Sequence, residues 1–434
     1  MKLSALNPFR KGGSPDLGDG RGIVITRDWC TVLLALYAAS VFVWDYTIGY
    51  QAALVVMLAF TLALYRGRIL RLSPYVASSG LFLLYFLVHT CVGLTVDVKS
   101  STDYLVTLCI NMAAAMCILC IVDSRRKIEI VMKVLICTAV ALWVYIIIAD
   151  RQNLLSHQLG AKIQKPIFGG VYAHNNLPMF AGYAVLFLTY FRLKRRPLPF
   201  TWALYAFFLI CVLLASARKA LLFTLFGLLV YPLLFSKKTE RFSNRTIKLA
   251  GLVIGVCVAF YLVMTNATLY ELIGYRFDGL ISGLLEGSFT ESSARSRSVM
   301  IATALDSIHD HFLLGIGLNT FRTLEGSYGT WSHNNFLEIM VSGGILPLLI
   351  YYAFPVYAFV KLRRIRKDPM AGMFMTYMIY VVIHDLLSIS YNARNMGLMM
   401  CLISAYLSLQ EKEKRKRQRE FHDVGTLLQG VLKA

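Results

Sequence analysis

The stretch WSHNNFLEIMVSGGILP, Trp331 to Pro347, sets a histidine and two asparagines directly before an apolar run. His333 can move a proton near neutral pH, and Asn334 and Asn335 can orient hydroxyl-rich ligands. Glu338 lies off the helix face of His333 and offers a second acid or base. The competing reading is a helix start at a membrane interface, with Ser332 as N-cap and Trp331 among the interfacial aromatics. His-Asn-Asn occurs a second time at His174, Asn175 and Asn176. Three arginines could hold an anion: Arg218 in ASARKALL, and Arg295 and Arg297 in SARSRS. Guanidinium binds phosphate oxygens through parallel hydrogen bonds, so such a group suits a diphosphate. His384 and Asp385, in VVIHDLLSISYNAR, can orient each other or pair with Arg394. The HDH run at His309 to His311 invites a metal, but adjacent helical residues point apart and no Asp-x-Asp accompanies it, so no metal is expected.

These groups are embedded in an apolar chain. Its 434 residues are 57% hydrophobic and 16% charged, with mean hydropathy +0.60. The apolar residues lie in runs of roughly 18 to 22, without barrel-like alternation, and so predict an all-α polytopic membrane protein. About twelve spans are expected, centred near Leu34, Met57, Leu83, Cys109, Ala139, Ala181, Phe207, Phe226, Val256, Ile345, Met378 and Leu402. The net charge of +20 would suggest nucleic acid in a soluble protein. Here the basic clusters at Arg66/Arg68/Arg71, Arg125 to Lys127, Lys194 to Arg196, Lys361 to Lys367 and Lys412 to Arg419 all fall on one side of the threaded chain. The positive-inside rule then puts both termini in the cytoplasm, and the tail needs anionic lipid rather than nucleic acid as its partner. The first span reads as a retained anchor rather than a signal peptide. The nine cysteines lie in or beside spans, where they serve as small core residues.

The expected organisation is a cytoplasmic segment 1–28, spans 1–9 over 29–265, a large extracytoplasmic loop over 266–334, spans 10–12 over 335–410 and a basic tail over 411–434. Within the loop, GSFTESSARSRS is small and polar, which suggests mobility. Ile301, Leu305, Ile308 and Phe312 then recur at helical spacing and predict a surface helix beginning near Arg297, whose positive N-terminal dipole would reinforce that arginine.

Taken in order, SARSRSVMIATALDSIHDHFLLGIGLNTF followed by SHNNFLEIMVSGG resembles the shared signature of the O-antigen ligase and Wzy-type polymerase superfamily. That signature is an arginine, an amphipathic helix, a Gly-x-Gly turn and a His-Asn motif. SARKALL is similar to the family's earlier arginine motif. The resemblance implies a GT-C-like membrane glycosyltransferase of bacterial envelope polysaccharide biosynthesis, in the cytoplasmic (inner) membrane. Its donor would be a glycan on undecaprenyl diphosphate, used at the outer face without cofactor. Residue by residue, Arg218 and Arg297 match the arginines that bind the donor diphosphate, and His333 matches the candidate general base. Arg295, Asn334, Asn335, Glu338, His174, Asn175, His384 and Asp385 are the accompanying candidates for substrate binding. Phe312 stands where proline is usual, Ile301 where tryptophan is, and Pro347 where glycine, threonine or tyrosine ends the ligase motif.

The reading adopted from the sequence is a polymerase that joins repeat units, with a lipid-linked glycan as acceptor. A ligase moving finished glycan to lipid A core is the alternative within the family. A transporter or flippase is a rival of another class, but its ionisable groups would lie near the midplane, whereas here they gather at one face.

Overall fold

The structure, a computed structural model, describes residues 27–44, 48–65, 73–149, 176–215, 218–235 and 292–433, with short pieces between 261 and 270. His174, Asn175, the span expected at Val256 and most of the first half of the large loop lie outside the described residues.

Every regular element among the described residues is helical. In chain order these are α1 (Arg27–Val43), α2 (Ile48–Tyr65), α3 (Pro74–Cys91), α4 (Val98–Ile121), α5 (Arg125–Ala149), α6 (Asn176–Leu193) and α7 (Thr201–Leu214). Then come α8, which runs Arg218–Leu225 and on through a π-helical turn Phe226–Val230 to Tyr231–Phe235, and α9 (Ser292–Asp310). The last four are α10 (Asn335–Gly343), α11 (Ile345–Arg364), α12 (Pro369–Asp385) and α13 (Arg394–Lys433). Four of them, α3, α4, α5 and α11, are long and apolar enough to cross a bilayer, and shorter apolar helices lie within α1, α2, α6, α7 and α8. An all-helical plan follows from the solvent, because a spanning segment must satisfy its backbone internally.

Two helices form the inner core. Side chains from Leu177 to Phe191 on α6 are buried without interruption, as are those from Met370 to Met378 on α12. Phe223 of α8 joins them, edge-on to Tyr183 at 4.8 Å and stacked on Tyr380 at 4.1 Å. By contrast α3 and α11 keep exposed leucine and valine faces, as lipid-facing helices should.

The polar groups belong to a separate module built from α9, the loop after it and α10. Gly315 and Gly344 determine how that module closes. The backbone N–H groups of Ile316 and Gly317 donate to the carbonyls of Val341 and Ser342 at 2.9 and 2.8 Å, which would otherwise be orphaned at the end of α10. Gly315 holds φ +67°, and a Cβ there would sit 2.4 Å from the Gly343 nitrogen. Gly344 holds φ +75°, with a Cβ position 2.2 Å from the Leu313 carbonyl oxygen. Only glycine meets both demands, so the Gly-x-Gly turn and the Gly-Gly after α10 form one lock. The module rests on the loop between α3 and α4 and on the first turn of α4, through Val96 N–H to Ile316 O at 2.9 Å and Ser101 Oγ–H to Leu318 O at 2.6 Å.

Three expectations need correction. Ile345 is not the middle of a span: α10 ends at Gly344 and Ile345 opens α11, so the His-Asn-Asn motif starts a nine-residue helix that precedes the membrane helix. The cap of α10 is Asn334, whose Oδ1 accepts from Phe336 N–H and Leu337 N–H at 2.9 and 3.2 Å, and not Ser332. The loop helix begins at Ser292, so the polar residues Ser292–Ser298 are helical and Arg297 lies in the second turn, away from the free N–H groups of the first. Its inward face is Met300, Ala304 and Ile308, while Ile301, Leu305 and Phe312 are exposed.

Candidate functional site

The corner Ser332–His333–Asn334 presents the histidine. His333 has φ +55°, a left-handed conformation uncommon for a side chain with a Cβ and worth roughly 1–3 kcal/mol of local strain. Its neighbours hold it there. Ser332 N–H donates to Glu338 Oε2 at 2.9 Å, Ser332 Oγ–H donates to the Asn334 carbonyl at 2.9 Å, and Asn334 caps α10. Two residues back, Trp331 Nε1–H donates to Asn319 Oδ1 at 2.9 Å, and Asn319 Nδ2–H donates to Ser100 Oγ on α4 at 2.6 Å. Trp331 is therefore bonded into the module, with its ring nitrogen committed to Asn319.

Two cationic side chains and a neutral imidazole, from three elements, meet at this corner. Burial first, and then the positive charges of Arg297 on α9 and Lys219 on α8, push the His333 imidazole down to about 4. Lys219 and Arg297 also repel one another. Lys219, Arg297 and His333 are each half-buried. Among the described residues no carboxylate pairs with Lys219 and no hydrogen bond engages the His333 ring. The positive charges of Lys219 and Arg297, brought together at one corner, make it a place where an anion can settle. Arg218 begins α8 immediately before Lys219, so its backbone stands at the same corner, while its side chain lies outside what is described. Arg295 is exposed on α9, two residues from Arg297.

Glu338 is completely buried, and its burial raises the carboxyl to about 7 against the lowering effect of the Ser332 hydrogen bonds and Arg322. Its Oε1 has no partner. The structure puts Glu338 behind the corner, touching Ser332, rather than beside the His333 ring.

Asn335 is fully buried and ties the module to the bundle. Its Oδ1 accepts from Ser390 N–H and Tyr391 N–H at 2.8 and 3.0 Å, and its Nδ2 donates to Tyr352 OH at 3.0 Å and Asp385 Oδ2 at 3.4 Å. Tyr352 OH also donates to Asp385 Oδ2 at 2.7 Å, and its ring stacks on Phe336 at 4.6 Å. Asp385 thus meets the second residue of the His-Asn-Asn motif's asparagine pair and is joined to the site through it. His384 Nδ1 lies 3.6 Å from Asp385 Oδ1, longer than a hydrogen bond. Arg394 lies over the Tyr50 ring at 4.1 Å. His309, Asp310 and His311 are exposed, His309 Nδ1 lying 3.2 Å from Asp310 Oδ1. Among the described residues no group of three or more His, Cys, Asp or Glu side chains is placed to hold a metal ion.

These positions fall in one contiguous stretch of sequence. Residues 203–352 match the family model described as O-antigen ligase. The match runs from α7 into α11 and takes in Arg218, Lys219, Arg297, His333, Asn335, Glu338 and Tyr352, with His384 and Asp385 beyond its end. It is the family the motifs resemble, and its members are membrane glycosyltransferase-like enzymes. No curated protein matched the chain.

Lys219, Asn319 and Tyr352 are positions of the candidate site that the sequence alone did not single out. Lys219 stood beside a singled-out arginine in SARKALL and shared its outward position, a usable signal. Asn319 and Tyr352 carried none, because their roles depend on partners more than a hundred residues away, Ser100 for one, or on the turn at the end of α12 for the other.

Proposed function

We propose that the protein is a polysaccharide polymerase of the bacterial cell envelope, which transfers a glycan from a lipid diphosphate onto a sugar hydroxyl at the outer face of the cytoplasmic membrane. The observation that carries this reading is the meeting of Arg297, Lys219 and His333 at the capped corner of α10. Arg297, Arg218 and Lys219 receive the donor diphosphate. The acceptor oxygen attacks the anomeric carbon, the bond from that carbon to the phosphate oxygen breaks, and the acceptor proton passes to His333. The lipid diphosphate leaves with the bonding electrons, held by the cations, and the anomeric centre inverts. In the free protein burial, and then the same cations, make His333 a weak base. A bound diphosphate adds negative charge beside the imidazole, offsets the effect of the two cations and so makes the base stronger when donor is present.

A ligase that transfers finished polymer to lipid A core is the second reading, supported by the description of the matching family. Removing the protein from its cell and sizing the lipid-linked glycans that accumulate separates the two: single repeat units support the polymerase, long chains the ligase. For the site itself, His333→Ala should lower single-turnover transfer by about 10²- to 10⁴-fold with donor affinity retained. Arg297→Lys should weaken donor binding as well, since lysine loses the two-pronged phosphate contact. A His333→Ala protein within about threefold of the parent removes the histidine from the reaction, given the usual size of general-base effects.

A further inference from the structure

The turn that links α9 to the Gly-x-Gly lock carries Phe312, Leu313 and Leu314, and their relative exposures are 50%, 67% and 49%. Three consecutive large apolar side chains facing outward would be a liability in water. Their backbone shows where they stand. The Phe312 carbonyl accepts from Ile345 N–H at 3.2 Å, the first residue of α11, and the Leu314 carbonyl accepts from His89 Nε2 at 2.9 Å, in the last turn of α3. The Leu313 carbonyl packs against Gly344. Both α3 and α11 are long and apolar enough to cross a bilayer, and they pack against each other. The turn is therefore fastened across adjoining ends of two neighbouring helices, the C-terminal end of α3 and the N-terminal end of α11.

The same helices are exposed on the adjoining surface. Val88 and Val92 face outward at the end of α3, and Leu346 and Leu349 at the start of α11. The apolar surface of the turn continues the lipid-facing surface of these helices without a break in sequence contact, and the next residues before it, His309 to His311, are polar and exposed. From this continuity we infer that Phe312, Leu313 and Leu314 insert into the outer leaflet and dock the α9–α10 module on the membrane, with lipid chains as their partner. The consequence reaches the site. The turn is the hinge point between α9, which carries Arg297, and the glycine lock that fixes α10, so its depth in the leaflet sets the height of the cationic corner above the lipid.

The test uses the full-length protein in proteoliposomes. A tryptophan is placed by Leu313→Trp and its emission is read as the difference from the parent, in vesicles whose phospholipids carry bromine on shallow acyl carbons. Blue-shifted emission that is largely quenched by the brominated lipid, and untouched by aqueous iodide, is the expected result. Red-shifted emission quenched by iodide places the turn in water and overturns the inference. Blue emission that neither reagent quenches means that protein covers the turn, and overturns it equally. Because the anchoring contacts are made by backbone carbonyls, a second variant, Phe312→Ser with Leu314→Trp, keeps them and repeats the reading if Leu313→Trp fails to fold. None of these outcomes depends on glycosyl transfer, so the inference stands or falls separately from the proposed activity.

Discussion

Removing one cation from the site corner should make His333 easier to protonate, and the structure bounds by how much. The imidazole is held at about 4 against an ordinary 6.5, first by burial and then by Arg297 and Lys219. The difference amounts to about 3 kcal/mol against the imidazolium, at ~1.4 kcal/mol for each tenfold change in the proton equilibrium. Since burial is the largest cause, Lys219→Met should recover only part of it, so that His333 titrates above 4 but below 6.5. Inorganic diphosphate added to the parent protein should move the titration in the same direction, by supplying negative charge between the cations. The assay is histidine-selective NMR on ring-labelled protein in nanodiscs, with the His333 signal assigned by its loss in His333→Gln. A parent titration at 6.5 or above refutes the desolvation argument, and a titration that neither Lys219→Met nor diphosphate moves refutes the charge cluster. The linkage has a definite sign. With the folded value depressed, this histidine contributes stability that is present above pH 6.5 and is lost as pH falls towards 4.

Two further outcomes follow from the buried groups behind the corner. Glu338 carries the opposite linkage: its folded value is raised from 4.5 to about 7, so its contribution is intact below pH 4.5 and is lost as pH rises through 7. Glu338→Gln, which keeps an oxygen to accept from Ser332, should flatten the fall in thermal stability between pH 6 and 9 that the parent shows, and an unchanged fall would contradict the assignment. Asn335→Ala leaves the buried N–H groups of Ser390 and Tyr391 and one lone pair of Asp385 without their partner. At about 1–3 kcal/mol for each unsatisfied buried group it should cost several kcal/mol and loosen the α10 end of the module, visible as faster amide exchange in residues 335–343; protection equal to the parent would show that the clamp does not hold α10.

The parts of this molecule that the sequence made legible are those governed by local physics. Apolar runs announce membrane helices because lipid leaves no other backbone solution, and the glycines of LLGIGLN and VSGG announce a close approach because only glycine tolerates it. The boundaries were less legible wherever a tertiary partner decided them. Nothing in the polarity of ESSARSRS forbids a helix, and α9 extends back to Ser292 once Met300 and Ala304 have a surface to pack on. The helical spacing of Ile301, Leu305, Ile308 and Phe312 marks a surface helix without saying what its apolar residues meet, because lipid and protein core select the same side chains. The break at Gly344 was hidden for the same reason, since α10 and α11 together read as one apolar run of spanning length.

That break gives the site its chemistry. Had Asn335 to Arg364 formed one continuous helix, His333 would start a membrane span and its height would follow the tilt of that span. With α10 detached by Gly344, the histidine corner is instead positioned by four backbone and side-chain connections: the glycine lock to the turn after α9, the Glu338 contact to Ser332, the Asn319 contact to Trp331, and the Asn335 clamp to the end of α12. A proton acceptor must lie within hydrogen-bond reach of the hydroxyl it activates, a tolerance of a few tenths of an ångström that a loop alone does not hold. The cations obey a different requirement. Charge acts over several ångströms, so Lys219 and Arg297 can be delivered from α8 and α9 without direct contact between their side chains and the imidazole. The rigid corner carries the group whose position is critical, and the neighbouring helices supply the field in which a lipid diphosphate would settle.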